Sequence, residues 1–235
     1  MRDGALATTP ASPQELEALG VYALRYVKPG QTIGLGTGQA AAAFIRALGA
    51  RGIPVRGVPT STASENLASE VGIEVVTLAD CPRLDATFDG ADEVSPRLDL
   101  IKGWGGALVR EKVVAAASRR RIILVGAAKI VSRLGAHGRL PVEVLPFAAP
   151  FAIRRIAALG LKPVIRVDES GREFFTDNGN LIADCGVNHI KNPARLEREL
   201  LEIPGVIGTG LFVQMADLVL VAESGGKIRT LRRPH

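Results

Sequence analysis

Between Phe88 and Lys112 the chain reads FDGADEVSPRLDLIKGWGGALVREK, a span that concentrates groups able to move protons. Two carboxylates, Asp89 and Asp92, precede an ammonium, Lys102, a glycine-rich turn of Gly103, Gly105 and Gly106, and a further carboxylate, Glu111. Such residues form a general acid/base set with no metal in it. For any one of them alone, the competing reading is a solvated acidic loop beside a glycine turn. Their combination within one short span favours chemistry.

These groups need elements to hold them. Asp85 to Phe88 reads as a short buried strand with DGAD as the turn at its end, because Gly90 tolerates unusual backbone angles and Asp favours side-chain-capped turns. The carboxylates then sit at a strand's carboxyl end, where open α/β sheets bind ligands. Leu100 and Ile101 are apolar, the glycines turn the chain, and Ala107 to Ser118 predicts a helix. Glu111 falls about one turn into it, beside free backbone N–H groups that welcome an anion.

The rest of the chain alternates strand and helix. Met1 to Ala11 reads as a loose tail, and Ser12, Pro13 and Glu15 open a first helix that runs to about Tyr26. TIGLGTGQAAAAFIRAL then gives a strand, a glycine turn at Gly34, Gly36 and Gly38, and an alanine-rich helix. That is the grammar of a phosphate cradle, without the full GxGxxG spacing or a Walker lysine, so a plain tight turn stays open as the alternative. Strands are expected at Val55 to Val58, Glu74 to Leu78 and Arg121 to Val125. Thr62 and Glu65 are expected to cap the helix after Pro59, and Arg119, Arg120 and Arg121 to complement a helix end. Repeated strand and helix units imply a parallel sheet with right-handed crossovers.

After Lys129 the texture changes. A helix at Pro150 to Leu159 and short strands at Pro163 to Val167, Glu173 to Thr176 and Leu181 to Asp184 follow, with Asp177-Asn178-Gly179-Asn180 as a hairpin turn. A helix from Pro193 to Leu201 and a strand from Val206 to Val213 close this block, which reads as a small α+β subdomain. Leu218 to Ala222 predicts a strand returning to the first sheet, and IRTLRRPH a solvated basic tail.

Composition sets limits. At 235 residues and 47% hydrophobic content the chain can bury a substantial core, and a net charge of +5 favours acidic ligands such as phosphates. Aromatics at 4% argue against a nucleic-acid stacking surface. Cys81 and Cys185 form no CxxC pair, which suits a reducing compartment, and His137, His189 and His235 lack metal-ligand spacing. No apolar window is long enough for a signal peptide or a membrane span, so a cytoplasmic protein with no membrane partner is expected.

GLGTGQAAAAFI, PTSTASENLASEVGI, FDGADEV, LIKGWGGALVREKVVA, AAKIVSRLG with LPVEVLPFA, and TDNGNLIADC occur in this order. Together they resemble ribose-5-phosphate isomerase, type A, over roughly Gln14 to Val221. The resemblance implies a Rossmann-like α/β catalytic domain (1–138 and 208–235) with an inserted, smaller α+β, ferredoxin-like subdomain (139–207). It implies no cofactor and a homo-oligomer, dimer or tetramer. The implied reaction is the interconversion of ribose 5-phosphate and ribulose 5-phosphate through a cis-enediolate, a step of the non-oxidative pentose phosphate pathway. By the same resemblance Glu111 is the proton acceptor, Lys102 supports the developing oxyanion, and Asp89 and Asp92 hold sugar hydroxyls and assist ring opening. Substrate binding would fall on Thr37, Gly38, Gln39 and Ala40, on Asp89, Gly90, Ala91 and Asp92, on Lys102, Gly103, Trp104 and Gly105, and on Lys129.

The chain departs from the family pattern in three places. Gln39 and Ala40 replace Ser and Thr in the loop that commonly reads GTGST; Gly126-Ala127-Ala128-Lys129 replaces DASK; Trp104 interrupts a glycine run. Two other readings therefore stand beside the first: an isomerase of another sugar phosphate, and a non-catalytic sugar-phosphate sensor.

Overall fold

A computed structural model describes residues 9–233, so the expected amino-terminal tail lies outside the described residues as far as residue 8. The chain runs α1 (Pro13–Ala23), β1 (Thr32–Leu35), α2 (Gln39–Arg51), β2 (Arg56–Pro59), α3 (Thr62–Glu70), β3 (Glu74–Val75), β4 (Ala86–Asp89), β5 (Glu93–Val94), β6 (Leu100–Ile101), α4 (Leu108–Ala117) and β7 (Arg121–Gly126). It continues with β8 (Arg139–Val144), α5 (Ala149–Ala158), β9 (Lys162–Ile165), β10 (Leu181–Gly186), α6 (Pro193–Leu201), β11 (Val206–Thr209), β12 (Leu211–Phe212), β13 (Leu218–Ala222) and β14 (Ile228–Arg232). Ser12 and Glu15 form the expected capping box of α1, each side chain bonded to the other's backbone N–H.

Seven strands form the main sheet in the order β14-β13-β7-β4-β1-β2-β3, parallel except for β14. RIILVG in β7 and LVLVA in β13 are apolar throughout because both faces are covered. Ile122, Leu124, Leu218 and Leu220 join the core under α1, α2 and α3, whereas Ile123, Val125, Val219 and Val221 pack on the opposite face against residues of β5, β6 and β12. Phe44 of α2 stacks on Phe88 of β4 with ring centroids 4.2 Å apart. Burying each such ring contributes roughly 1.5–3 kcal/mol, which anchors the strand that carries Asp89.

A second sheet is antiparallel, in the order β11-β8-β10-β9. Its strand–helix–strand–strand–helix–strand connectivity is that of a ferredoxin-like fold. Leu140, Val142, Val144, Leu181, Ala183 and Cys185 on one face pack against Ala152, Ile156 and Leu200 of α5 and α6. The alternate residues Arg139, Glu143 and Asp184 point the other way, as the period of two requires.

Several expectations are corrected. The segment IRTLRRPH forms β14 as far as Arg232, antiparallel on the edge of the main sheet, because Ile228, Thr230 and Leu231 find half-buried seats there, Ile228 against one core and Leu231 against the other. Val206 to Val213 is two strands in two sheets, with Gly210 packed so tightly that a Cβ would lie 2.4 Å from Lys102 O. Glu173 to Thr176 makes only isolated bridges, since Phe174 is committed to packing on Gly106. Ser61 rather than Thr62 caps α3, paired with Ser64; Ser61 takes the extended backbone of an N-cap, and Thr62 N donates instead to Asp177 Oδ2 at 2.8 Å. Arg121 lies in β7 and pairs with Asp217, so its charge serves a strand rather than a helix end.

Candidate active site

β1 and β4 are neighbours in the sheet, yet the chain leaves β1 for β2 on one side while β4 adjoins β7 on the other. Their carboxyl ends flank a topological switch point, the crevice where doubly wound sheets take ligands. Just beyond β1, Gly36 N donates to Phe88 O at 2.9 Å. Only glycine fits, because a Cβ here would lie 2.1 Å from Asp89 Oδ1. The close approach lets Asp89 Oδ1 accept from Thr37 N at 3.1 Å and Gly90 N at 2.7 Å.

The other Asp89 oxygen lies 3.0 Å from Lys102 Nζ. Lys102, just after β6, also reaches Glu111 Oε1 at 3.3 Å and donates to Gly90 O at 2.5 Å. Three acceptors thus match the three N–H donors of one ammonium. Lys102 and Glu111 are 3% and 5% exposed, which leaves water little access to screen them. Burial would by itself lower the Lys102 pKa, but the Asp89 and Glu111 carboxylates outweigh it and hold the ammonium up at about 12. Glu111 is pushed up to about 8, first by burial and then by the Asp89 charge, with Lys102 pulling the other way. Its Oε2 is buried and has no hydrogen-bond partner among the described residues. Glu111 is the fourth residue of α4; its own N–H bonds Ala107 O, and the bonds its carboxylate makes do not include a helix N–H among the described residues.

Around this buried cluster lies a more open rim. Asp92 Oδ2 accepts from Trp104 N at 3.0 Å, and Asp92 Oδ1 is 3.9 Å from Lys129 Nζ. Burial raises the Asp92 pKa against that N–H bond. Thr37 Oγ1 meets the hydroxyls of Thr60 and Ser61, each at 2.8 Å. Gly38, at φ +103°, opens α2, and Gln39 and Ala40 are its first two residues, exposed and half-buried. Ala91 is half-buried, and Gly105 lies across from Thr37, whose Cγ2 would be 3.8 Å from a Cβ there. The structure thus brings Thr37, Asp89, Gly90, Asp92, Lys102 to Gly105, Glu111 and Lys129 around one crevice. The Gln39 side chain makes no hydrogen bond to it among the described residues.

Three supporting groups escaped sequence reasoning. Arg166 forks onto Asp184 at 2.7 and 2.9 Å and donates to Gly103 O and Trp104 O at 3.2 and 3.0 Å. Asp184 also accepts from Arg139 at 2.6 Å. On the same sheet face, fully buried Glu143 accepts through Oε1 from Thr176, Asn178 and Asn180, holding the TDNGN turn whose Asp177 O and Asn178 Oδ1 receive Arg110. A charged residue in an otherwise apolar strand, as in PVEV, PVIR and LIADC, is the signal that could have found them. A cavity of about 460 Å³ lined by Gly52, Ile53 and Val71 lies at the amino ends of the strands, where no such chemistry gathers.

Among the described residues no cluster of His, Cys, Asp and Glu is arranged to hold a metal, and no helix is long and apolar enough to cross a membrane.

Residues 56–226 match the family model of ribose 5-phosphate isomerase A (phosphoriboisomerase A). A ribose-5-phosphate isomerase A of Roseiflexus castenholzii is 49% identical over 209 residues, 87% of this chain and 89% of that protein. One from Gloeobacter violaceus is 48% identical over 208 residues, covering 87% and 90%. Among solved structures, ribose 5-phosphate isomerase A of Methanocaldococcus jannaschii superposes with a TM-score of 0.88 at 40% identity, over 94% of this chain and all of that one. A D-ribose-5-phosphate isomerase in complex with phospho-erythronic acid gives 0.90 at 37% identity, over 95% and 100%. The chain belongs to the ribose 5-phosphate isomerase A family.

Proposed function

From that membership we infer that this chain is an aldose–ketose isomerase that interconverts ribose 5-phosphate and ribulose 5-phosphate through an enediolate. The observation that carries the mechanism is Glu111: buried, its Oε2 unpartnered, its pKa raised to about 8, and its other oxygen 3.3 Å from a buried ammonium. A carboxylate of raised pKa is a competent base near neutrality. In the open-chain aldose, Glu111 takes the proton from C2 as O1 becomes anionic, and returns it to C1 while the proton of the C2 hydroxyl passes to O1, which leaves a ketone at C2 and a hydroxyl at C1. In this reading Lys102, fixed by Asp89 beside Glu111, supplies the positive charge that stabilises that oxyanion, and its fixed position keeps reorganisation small as the charge shifts. Asp92, the Thr37–Ala40 segment and the backbone of Lys102–Gly105 hold the sugar phosphate, with Lys129 at the rim. A relative's complex with phospho-erythronic acid supports this reading, because a planar carboxylate next to a sugar-phosphate chain imitates an enediolate.

Residues 1–138 and 208–235 form the catalytic domain in this reading and 139–207 the inserted one; the core under α5 and α6, drawn mainly from 139–207 and sealed by Ile101, Val131, Leu134 and Leu211, supports the division. A homo-oligomer belongs to the same reading, supported by Phe147 and Phe151, one helical turn apart and 94% and 42% exposed. A cytoplasmic location is supported by two free thiols.

Incubation with ribose 5-phosphate in deuterated water tests the function. Ketose should form and deuterium should enter the sugar at the exchanging carbon; no ketose and no exchange would sink the isomerase reading. A panel of pentose and hexose phosphates, assayed alongside, separates ribose 5-phosphate from another sugar phosphate.

A further inference from the structure

Trp104 is the chain's single tryptophan and stands between Gly103 and Gly105. Its ring lies under the Lys129 ammonium, with Nζ 4.8 Å from the centroid, and the Arg139 guanidinium is 5.6 Å from the same ring. His137 approaches edge-on at 6.1 Å. The backbone of Trp104 is fixed independently: its N–H donates to Asp92, and its carbonyl accepts from Arg166, which is itself held by Asp184. Asp184 holds Arg139 as well, so one carboxylate braces both the backbone and the ring.

Lys129 has few other restraints. Its side chain is 36% exposed, and among the described residues its acidic partner within 4 Å is Asp92, 3.9 Å away. The Gly126-Ala127-Ala128 segment before it offers no side-chain oxygen. A long ammonium side chain so placed would spread over many rotamers, and ordering it when ligand arrives would weaken binding. The face of an indole attracts an ammonium through the ring quadrupole and narrows those choices beforehand.

We propose that Trp104 is a positioning residue: its indole is the platform that holds Lys129 facing Asp92 at the rim of the site, and the Asp184–Arg139–Arg166 group braces that platform. The role of Lys129 toward the sugar phosphate rests on the function inferred above; the platform itself does not. Trp104 acts on affinity, through Lys129, and leaves the proton transfer at Glu111 and Lys102 alone.

Two substitutions separate a ring face from mere volume. Trp104→Leu fills space without a quadrupole, whereas Trp104→Phe keeps a weaker one. KM for ribose 5-phosphate should rise roughly two- to thirty-fold in Trp104→Leu, and less in Trp104→Phe, with kcat within about two-fold of wild type. In a Lys129→Met background the Leu substitution should add almost nothing, because the cation it would lose is already gone. An unchanged KM in Trp104→Leu, or its full effect persisting without Lys129, overturns the proposal. A third measurement needs neither substrate nor a ring substitution that could disturb folding. The emission of the single tryptophan in the substrate-free protein should change between wild type and Lys129→Met. Identical spectra overturn the platform even if the isomerase reading stands, and a change upholds it even if ribose 5-phosphate is not the substrate.

Discussion

The site has an inner cluster and an outer rim built from the same kinds of charge, and they work under different conditions. Inside, Lys102, Asp89 and Glu111 are 3–5% exposed, Lys102 lies within 3.3 Å of both carboxylates, the carboxylates hold the Lys102 pKa up, and burial with the Asp89 charge pushes that of Glu111 up. Outside, Lys129 and Asp92 are 3.9 Å apart and partly open to solvent, and Gln39 is exposed. Charges in a dry, preorganised setting interact strongly and can steer a transition state, whereas the same charges near water mostly tune binding. The difference teaches that the inner residues should appear in kcat and stability, and the outer ones in KM.

The largest expected effect comes from Glu111→Gln, which keeps the shape and removes the base. Turnover should fall on the order of a hundred- to ten-thousand-fold, with the fold and substrate affinity nearly intact. Retention of more than about a tenth of wild-type turnover places the base elsewhere. Lys102→Met should follow. It strands two buried carboxylates, so besides losing turnover the protein should lose roughly 3–5 kcal/mol of stability in urea unfolding. A stable, inactive Lys102→Met would show that the inner charges are less coupled than their distances indicate.

The pH profile sharpens the contrast. Glu111 must be ionised to accept a proton and burial raises its pKa, so kcat/KM should be lost as pH falls through about 8. A limb near 4.3, the ordinary glutamate value, would mean that the inner cluster is wetter in solution. The smallest effect is expected at the rim. Gln39→Ser with Ala40→Thr offers hydroxyls at the first turn of α2, and KM for ribose 5-phosphate should fall about ten-fold with turnover nearly unchanged. A parallel loss of activity on another sugar phosphate would instead make Gln39 a reader of that substrate.

Local signals were legible wherever the physics is local. Ser12, Pro13 and Glu15 announced α1, the apolar runs of β7 and β13 announced buried parallel strands, and DGAD and KGWGG announced turns beside a strand end, because caps, periodicity and glycine act over a few residues. The membership of the inner cluster was legible too, since Asp89, Lys102 and Glu111 stand out in the sequence and the structure brings them together. The basic segment of β14 misled, because an edge strand whose apolar residues are only half-buried, with exposed arginines beside them, looks in sequence like a solvated tail. Glu173 to Thr176 misled for the opposite reason: its β-propensity was sound, but Phe174 found a better contact against Gly106.

The sequence alone therefore yields an inventory: strands, helices, turns, and a set of carboxylates and an ammonium within 25 residues of chain, from Phe88 to Lys112. Only the tertiary structure decided how that inventory behaves. The pKa of Glu111 comes from burial beside Asp89, which lies 22 residues earlier (111 minus 89), and the Gly103–Trp104 carbonyls are fixed by an arginine about sixty residues later. Desolvation and long-range hydrogen bonds depend on what packs against a side chain, and packing is set by contacts that sequence spacing does not encode.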